Sequence, residues 1–170
     1  LSSLNEVLAS ILRNAKKDLT IILKSTVPVG TNEYVNNYFT LKSDLSFAVI
    51  SNPEFLREGS AIKDFMNPDR IILGLEGPRS KRVMQEIYAT FIDQKYKIFY
   101  MKPESAELTK YAANSFLATK ISFINKISHL SDAVGADIEE VKRGIGSDLR
   151  IGSSFLDAGL GYGGSCFPKD

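Results

Sequence analysis

Two hydrophobic periods alternate along the first part of the chain. Leu4, Val7, Leu8, Ile11 and Leu12 recur at helical spacing and predict a helix that ends near Lys17. Leu19 to Leu23 is a short apolar run rich in β-branched residues, as in a buried strand. Pro28 and Gly30 punctuate the chain, and Thr31 to Tyr38 predicts another helix. Then come a strand at Phe47 to Ile50, a segment at Ala61 to Met66 and a strand at Arg70 to Gly74. A helix from Ser80 to Ile92 and a last strand from Lys97 to Tyr100 complete the series. Short continuous apolar strands alternating with helices predict an α/β fold: a doubly wound parallel sheet covered on both faces.

From Pro103 the pattern changes. Proline suits a first helical turn, and Glu104 and Glu107 suit the positive end of a helix dipole. No glycine or proline follows until Gly135, which predicts one long helix. A shorter helix from Asp137 to Gly144, with Asp137 as its N-cap, leads into a glycine-rich loop after Gly146. The expected division is residues 1–102 as the later part of an α/β domain and 103–170 as a long-helix domain ending in a loop. A long helix that is apolar on several sides packs against a second copy of itself. A homodimer or higher homo-oligomer is the partner this pattern predicts.

Composition narrows the function classes. The chain has 170 residues, with 21 basic against 20 acidic side chains and a formal net charge of +1. That balance offers no electrostatic footprint for nucleic acid or an anionic membrane surface. No apolar run approaches the roughly 20 residues needed to span a bilayer. One cysteine without a disulfide framework fits a reducing compartment, and the cytoplasm is the default. The chain starts inside a helical pattern without methionine and stops inside a motif, so it reads as the middle segment of a longer protein. Taken alone, such a segment is also a candidate oligomerisation and binding module.

The single cysteine, Cys166, lies in Gly163-Gly164-Ser165-Cys166-Phe167-Pro168-Lys169-Asp170. It is either packing or chemistry; the glycines leave it uncrowded, and a nearby cation favours the reactive thiolate. Just before it, Gly159-Leu160-Gly161-Tyr162-Gly163-Gly164 matches the dinucleotide fingerprint G-x-G-x-x-G letter for letter. That fingerprint needs a strand before it and a helix after it. A polar loop precedes it here, and Cys166-Phe167-Pro168 follows. These glycines are therefore read as a loop that approaches a ligand closely.

Two loops leave the C-terminal ends of predicted strands and share the rim where open α/β sheets bind ligands. They are Lys24-Ser25-Thr26-Val27-Pro28 and the stretch from Ser51 to Gly59. One turn of helix would bring Glu54 and Glu58 to the same side. The competing view is plain helix-start chemistry, with Asn52 as cap and Pro53 in the first turn. Lys110 and Asn114 head the apolar stripe of Leu117, Ile121 and Ile124. They are its solvated end or they face a site, and the rarity of buried lysine favours the solvated end. His129 is a lone helical histidine with no sequence link to Cys166, which argues for a structural residue over a Cys–His hydrolase.

Taken together and in order, four motifs resemble those of the UDP-glucose/GDP-mannose dehydrogenase family. They are Lys24-Ser25-Thr26-Val27-Pro28, Asn52-Pro53-Glu54-Phe55-Leu56-Arg57-Glu58, Lys110-Tyr111-Ala112-Ala113-Asn114 and Gly163 to Asp170, with Arg150-Ile151-Gly152 ahead of the last. The resemblance covers essentially the whole chain. Members acting on N-acetylated sugars carry histidine where this chain has Ser165, so the likeness is to members that take UDP-glucose. GDP-mannose or another UDP-sugar is the alternative.

The resemblance implies a Rossmann-like NAD-binding domain followed by a central dimerisation domain. It also implies an enzyme that uses two NAD to oxidise a UDP-sugar's primary alcohol to a carboxylate. Thiolate attack on the intermediate aldehyde would give a thiohemiacetal, which loses hydride to become a thioester that water cleaves. By position, Cys166 would be the nucleophile, Lys110 the acid/base and oxyanion-stabilising group, and Asn114 a hydrogen-bond partner of the reacting oxygen. Asp170 would orient a water or assist proton transfer, and Glu54 would be the base for thioester hydrolysis. Thr26 would contact cofactor and position water, and Glu58 would contact cofactor near the nicotinamide. Glu54, Phe55, Leu56, Arg57 and Glu58 would line the sugar nucleotide, with Lys110, Asn114, Asp157, Gly161, Tyr162 and Gly163. Arg150 would reach the partner subunit's substrate. The family's glycine-rich cofactor turn would fall before residue 1 and its second nucleotide-binding domain after Asp170.

Overall fold

The structure, a computed structural model, describes residues 2–163. Cys166 and Asp170, with the rest of 164–170, lie outside the described residues. The elements in chain order are α1 (Ser2–Asn14), β1 (Leu19–Leu23), α2 (Thr31–Thr40), β2 (Phe47–Ser51), α3 (Ala61–Met66) and β3 (Ile71–Gly74). They continue with α4 (Gly77–Ile87), α5 (Ala89–Asp93), β4 (Ile98–Met101), α6 (Pro103–Val134) and α7 (Ile138–Gly146). The helix expected from Ser80 to Ile92 is two helices that meet at Tyr88, which leaves helical geometry with φ −100° and ψ 19°. The Tyr88 ring is buried and its hydroxyl donates to Asn52, a distant partner that no local pattern announces.

The chain divides into two compact units, residues 1–110 and 111–170, with the boundary inside α6. In the first unit the strand order is β1-β2-β3-β4. β1 runs parallel to β2 with Leu19 opposite Phe47 and Leu23 opposite Ser51, and β3 runs parallel to β4 with Ile71 opposite Ile98. β2 and β3 are antiparallel and meet only at Ser51 and Gly74. The sheet is thus parallel-dominated, with one reversed contact that the sequence pattern did not predict. A buried apolar strand looks alike in either direction, so periodicity carries no information on this point.

Both faces of the sheet are covered. Val49 packs with Leu8, Leu23, Val35 and Phe39, whereas its neighbour Ile50 packs with Ile71, Leu73, Met84 and Tyr88. Adjacent strand residues point to opposite faces, so β2 joins two cores. Phe39 is fully buried and stacks on Phe47 with ring centroids 4.2 Å apart. Burial of a side chain of that size contributes about 1.5–3 kcal/mol. Gly74 marks a close approach: a Cβ there would come within 2.5 Å of Ala106 Cβ and 2.8 Å of Pro103 Cα. Its missing side chain lets the first turn of α6 lie against the end of β3.

The second unit holds the rest of α6, α7 and the loop that follows. Ile124 and Leu156 are its most buried large side chains. Asp137 caps α7 as expected, accepting from Glu139 N at 2.7 Å and Glu140 N at 3.4 Å. Lys120 Nζ donates to Ile151 O at 3.0 Å, which ties the loop after α7 to α6. Phe116, Phe123 and Leu130 are exposed on α6 at seven-residue intervals. No helix among the described residues is long and apolar enough to cross a membrane.

Candidate active site

Parallel pairing puts the C-terminal ends of β1 and β2 side by side, so the loops after Leu23 and Ser51 meet on one rim. A cleft there is lined by Ser25, Thr26, Ser51, Pro53, Glu107 and Lys110. Thr26 is half-buried in it.

Lys110 is buried, with 4% of its surface exposed, and its Nζ stands 3.5 Å from Glu54 Oε1. This overturns the solvated-end view of Lys110. A buried ammonium is costly unless paired, and here it has a carboxylate and the face of Phe55 at 5.2 Å from the ring centroid. Glu54 Oε2 accepts from Leu56 N at 2.6 Å, which fixes the carboxylate's orientation. The Glu54 side chain keeps 28% exposure, so water reaches it. Phe55 also carries Arg70 at 4.1 Å from its centroid.

Residues 52–57 form no helix, and α3 begins only at Ala61. Both helix-based views of this motif therefore fail. Glu54 and Glu58 do not share a helical face, and Glu58 lies exposed in a turn. Asn52 is not a helix cap either. Its Nδ2 donates to Ile72 O at 3.0 Å, and its Oδ1 accepts from Tyr88 at 2.6 Å and from Lys24 Nζ at 3.0 Å. A side chain held by three partners across the sheet is not free to cap the next turn. Burial lowers the Lys24 pKa against the opposing pull of Glu54, and burial raises the Tyr88 pKa against its bond to Asn52.

Arg57 is exposed and forked onto Asp64, with Nε to Oδ2 at 3.0 Å and Nη2 to Oδ1 at 2.5 Å. Its side-chain and main-chain hydrogen bonds hold the Asp64 carboxyl below the usual carboxylate range. Glu107 is the site residue that sequence reasoning missed. Expected to serve the dipole of its own helix, it is buried and bonded elsewhere. Its carboxylate accepts from Gly30 N at 2.7 Å, Asn32 N at 2.8 Å and Ser51 Oγ at 3.1 Å. The one signal in the sequence was its place one turn before Lys110, on the same side of α6.

Within the second unit, Asn114 is buried one helical turn after Lys110. Arg150 is exposed and engaged by Asp148, with Nη2 to Oδ2 at 2.6 Å. Asp157 pairs with Lys142, which also meets Glu139 at 3.2 Å. Gly159 N donates to Asn125 Oδ1 at 2.8 Å, and Gly161 takes φ 115°, a left-handed value that favours glycine. Tyr162 is exposed, and Gly163 ends the described chain. The segment leading directly into Gly159 is α7 and a loop instead of a strand, so the glycine series is not set as a dinucleotide turn. His129 is exposed on α6. Among the described residues no cluster of His, Cys, Asp and Glu has the makings of a metal site.

Residues 1–92 match the NAD binding domain of the UDP-glucose/GDP-mannose dehydrogenase family, and residues 104–170 match its central domain. The chain belongs to that family. It is 49% identical to UDP-glucose 6-dehydrogenase YwqF of Bacillus subtilis over 172 residues, covering 100% of this chain and 38% of that protein. Among solved structures, a UDP-glucose dehydrogenase from the hyperthermophilic archaeon Pyrobaculum islandicum matches with a TM-score of 0.89 and 42% identity. That match covers 98% of this chain and 40% of the other. A GDP-mannose dehydrogenase from Pseudomonas aeruginosa, solved as a ternary complex, gives a TM-score of 0.76 and 32% identity over 99% of this chain and 40% of its own. The chain thus spans about two fifths of the length of these relatives.

Proposed function

We propose that the chain is the central part of a UDP-glucose 6-dehydrogenase, which oxidises the C6 alcohol of UDP-glucose to a carboxylate with NAD. The observation that carries this reading is the buried Lys110 held against Glu54 on the rim beside Thr26. Its substrate is favoured by the 49% identity to the Bacillus enzyme and by the higher identity to the UDP-glucose than to the GDP-mannose structure. Residues 1–102 are assigned to the later part of the NAD-binding domain and 103–170 to the central domain ending in the cysteine loop.

The rim suits NAD and a sugar alcohol: hydroxyls of Ser25 and Thr26 and one enclosed ammonium line a cleft at the ends of parallel strands. NAD, when bound, accepts the hydride in each of two oxidations. The chain's own groups do the rest. Lys110 stabilises negative charge on the sugar oxygen as its proton passes to a water oriented by Asp170, and Asn114 donates a hydrogen bond to that oxygen. The Cys166 thiolate adds to the resulting aldehyde carbon, forming a C–S bond and a tetrahedral centre that can give up its hydride. The thioester so formed is cleaved by water, which Glu54 deprotonates while Thr26 and Asp170 hold it. The C–S bond breaks, the thiolate returns and the carboxylate leaves. Phe55, Leu56 and Arg57 line the sugar nucleotide with Asp157, Gly161, Tyr162 and Gly163, and Glu58 contacts the cofactor. Arg150 reaches the partner subunit's substrate by exchanging Asp148 for it.

In the full-length enzyme, Cys166→Ser should bind UDP-glucose normally yet release no glucuronate. Release at the wild-type rate would rule out the covalent route. A panel of sugar nucleotides scored by NADH formation should rank UDP-glucose above GDP-mannose, and the reverse order would move the substrate.

A second copy of the chain is the proposed partner, through α6. The exposed Phe116, Phe123 and Leu130 favour it, since they repeat at the interval of a helix–helix seam. Light scattering should return a dimer or larger, and a clean monomer at all concentrations would sink the idea. The lone cysteine supports a reducing compartment, and we place the enzyme in the cytoplasm.

A further inference from the structure

Glu107 has no part in the chemistry proposed above, yet it is as buried as Lys110, with 3% of its surface exposed. Its carboxylate is held by two main-chain amides and a hydroxyl. The two amides, of Gly30 and Asn32, stand at the start of α2, where the helix dipole and free N–H groups favour a negative charge. Gly30 takes φ 92°, the backbone turn that brings its N–H round to the carboxylate. The carboxylate therefore fills the place an external anion would take.

The elements gathered by these bonds are those that carry the proposed chemistry. Gly30 closes the loop that bears Thr26. Ser51 opens the loop that bears Glu54, and its hydroxyl, which accepts from Asn32 Nδ2 at 3.1 Å, donates to Glu107. Lys110 rides one turn on from Glu107 along α6. Thr26, Ser51, Glu107 and Lys110 line one cleft. Without the carboxylate, two amides and a hydroxyl would lose their acceptor.

We infer that Glu107 is a positioning residue: its carboxylate docks the Thr26 loop and the start of the Glu54 loop onto the turn of α6 that presents Lys110. The role rests on the dehydrogenase reading. An error of about 1 Å in such a constellation costs about 100-fold in rate. Glutamine keeps the shape but turns an NH2 toward an N–H or hydroxyl donor, so it cannot replace the carboxylate. Aspartate is one methylene short.

The test is made in the full-length protein. E107Q should lower kcat about 100-fold per folded molecule while the KM for sugar nucleotide moves less than about threefold. E107A should be as slow, and formate should restore at least about tenfold of its rate by refilling the anion position. A folded E107Q with kcat within about twofold of wild type would overturn the role, as would E107A that formate leaves unchanged. Amide hydrogen exchange of the wild type covers the case in which variants fail to fold. Gly30 and Asn32 amides should be strongly protected, and exchange at unprotected rates would overturn the docking whatever the variants do. A wild type that makes no NADH from any sugar nucleotide would sink the dehydrogenase reading itself, an outcome separate from protected amides with a fast E107Q.

Discussion

Lys110 Nζ faces Glu54 Oε1 across 3.5 Å, in a pair whose lysine side chain is 6% exposed and whose carboxylate is 28% exposed. The asymmetry sets how the pair responds to mutation. The lysine depends on its partner for charge compensation, whereas the glutamate can fall back on water.

Glu54→Gln should therefore destabilise by about 2–3 kcal/mol, less than a fully enclosed pair would lose, because the ammonium stays buried without its counter-charge. Lys110→Met replaces the buried cation by an apolar chain of similar length and should cost under about 1 kcal/mol. On the proposed function, its rate of NADH formation in the full-length protein should nonetheless fall at least about 100-fold. Urea unfolding and steady-state rates measured side by side check both halves. Equal stability losses in the two variants would contradict the asymmetry.

Gly74 and Gly144 should answer oppositely to alanine. At Gly74 the new Cβ meets Ala106 Cβ at 2.5 Å and Pro103 Cα at 2.8 Å, so Gly74→Ala should cost about 1–3 kcal/mol as α6 is pushed from β3. Gly144 lies inside α7 with nothing within 4 Å of its Cβ position. Gly144→Ala should stabilise by about 0.5–1 kcal/mol through helix propensity. Melting temperatures that move in the same direction would refute the pair.

Tyr88→Phe deletes the hydroxyl that donates to Asn52 Oδ1 at 2.6 Å. Asn52 keeps Lys24 as a donor at 3.0 Å, so no buried acceptor is orphaned and the loss should be about 1 kcal/mol. Asn52→Ala removes the acceptor from both donors and frees Ile72 O, and should cost more. Denaturation midpoints in the order wild type, Tyr88→Phe, Asn52→Ala are the expected result.

Asp64 makes one limb of the acid stability curve. Arg57 lowers its folded pKa, so the folded state binds fewer protons there than the unfolded chain does. The stabilisation is fully present above the ordinary carboxylate pKa of about 4 and is lost as pH falls toward the lowered value. The stability gap between wild type and Asp64→Asn should hence be wider near about pH 6 than near about pH 3, as urea midpoints at the two pH values would record. A gap that grows on acidification would reverse the assignment.

Local patterns carried much of the fold. The run from Leu19 to Leu23 is β1 residue for residue, α6 fills the interval between Pro103 and Gly135, and Asp137 caps α7. Each rests on neighbours within a turn or a pleat. Misread features depend on distant partners instead. Asn52 reads as a helix cap until Lys24 and Tyr88, 28 and 36 residues away, claim its side chain. Glu107 reads as a dipole charge until Gly30 and Asn32, 77 and 75 residues away, take both its oxygens.

By itself, then, the sequence determined the order of strands and helices, the covering of both sheet faces and the motifs that mark the family. Those follow from side-chain periodicity and from residue types that act over a few positions. Tertiary structure decided that β2 and β3 run antiparallel, that Tyr88 breaks a helix, and that Lys110 lies buried against Glu54. A charge enters the interior only where a partner waits for it, and the partner's arrival is a property of the packed chain.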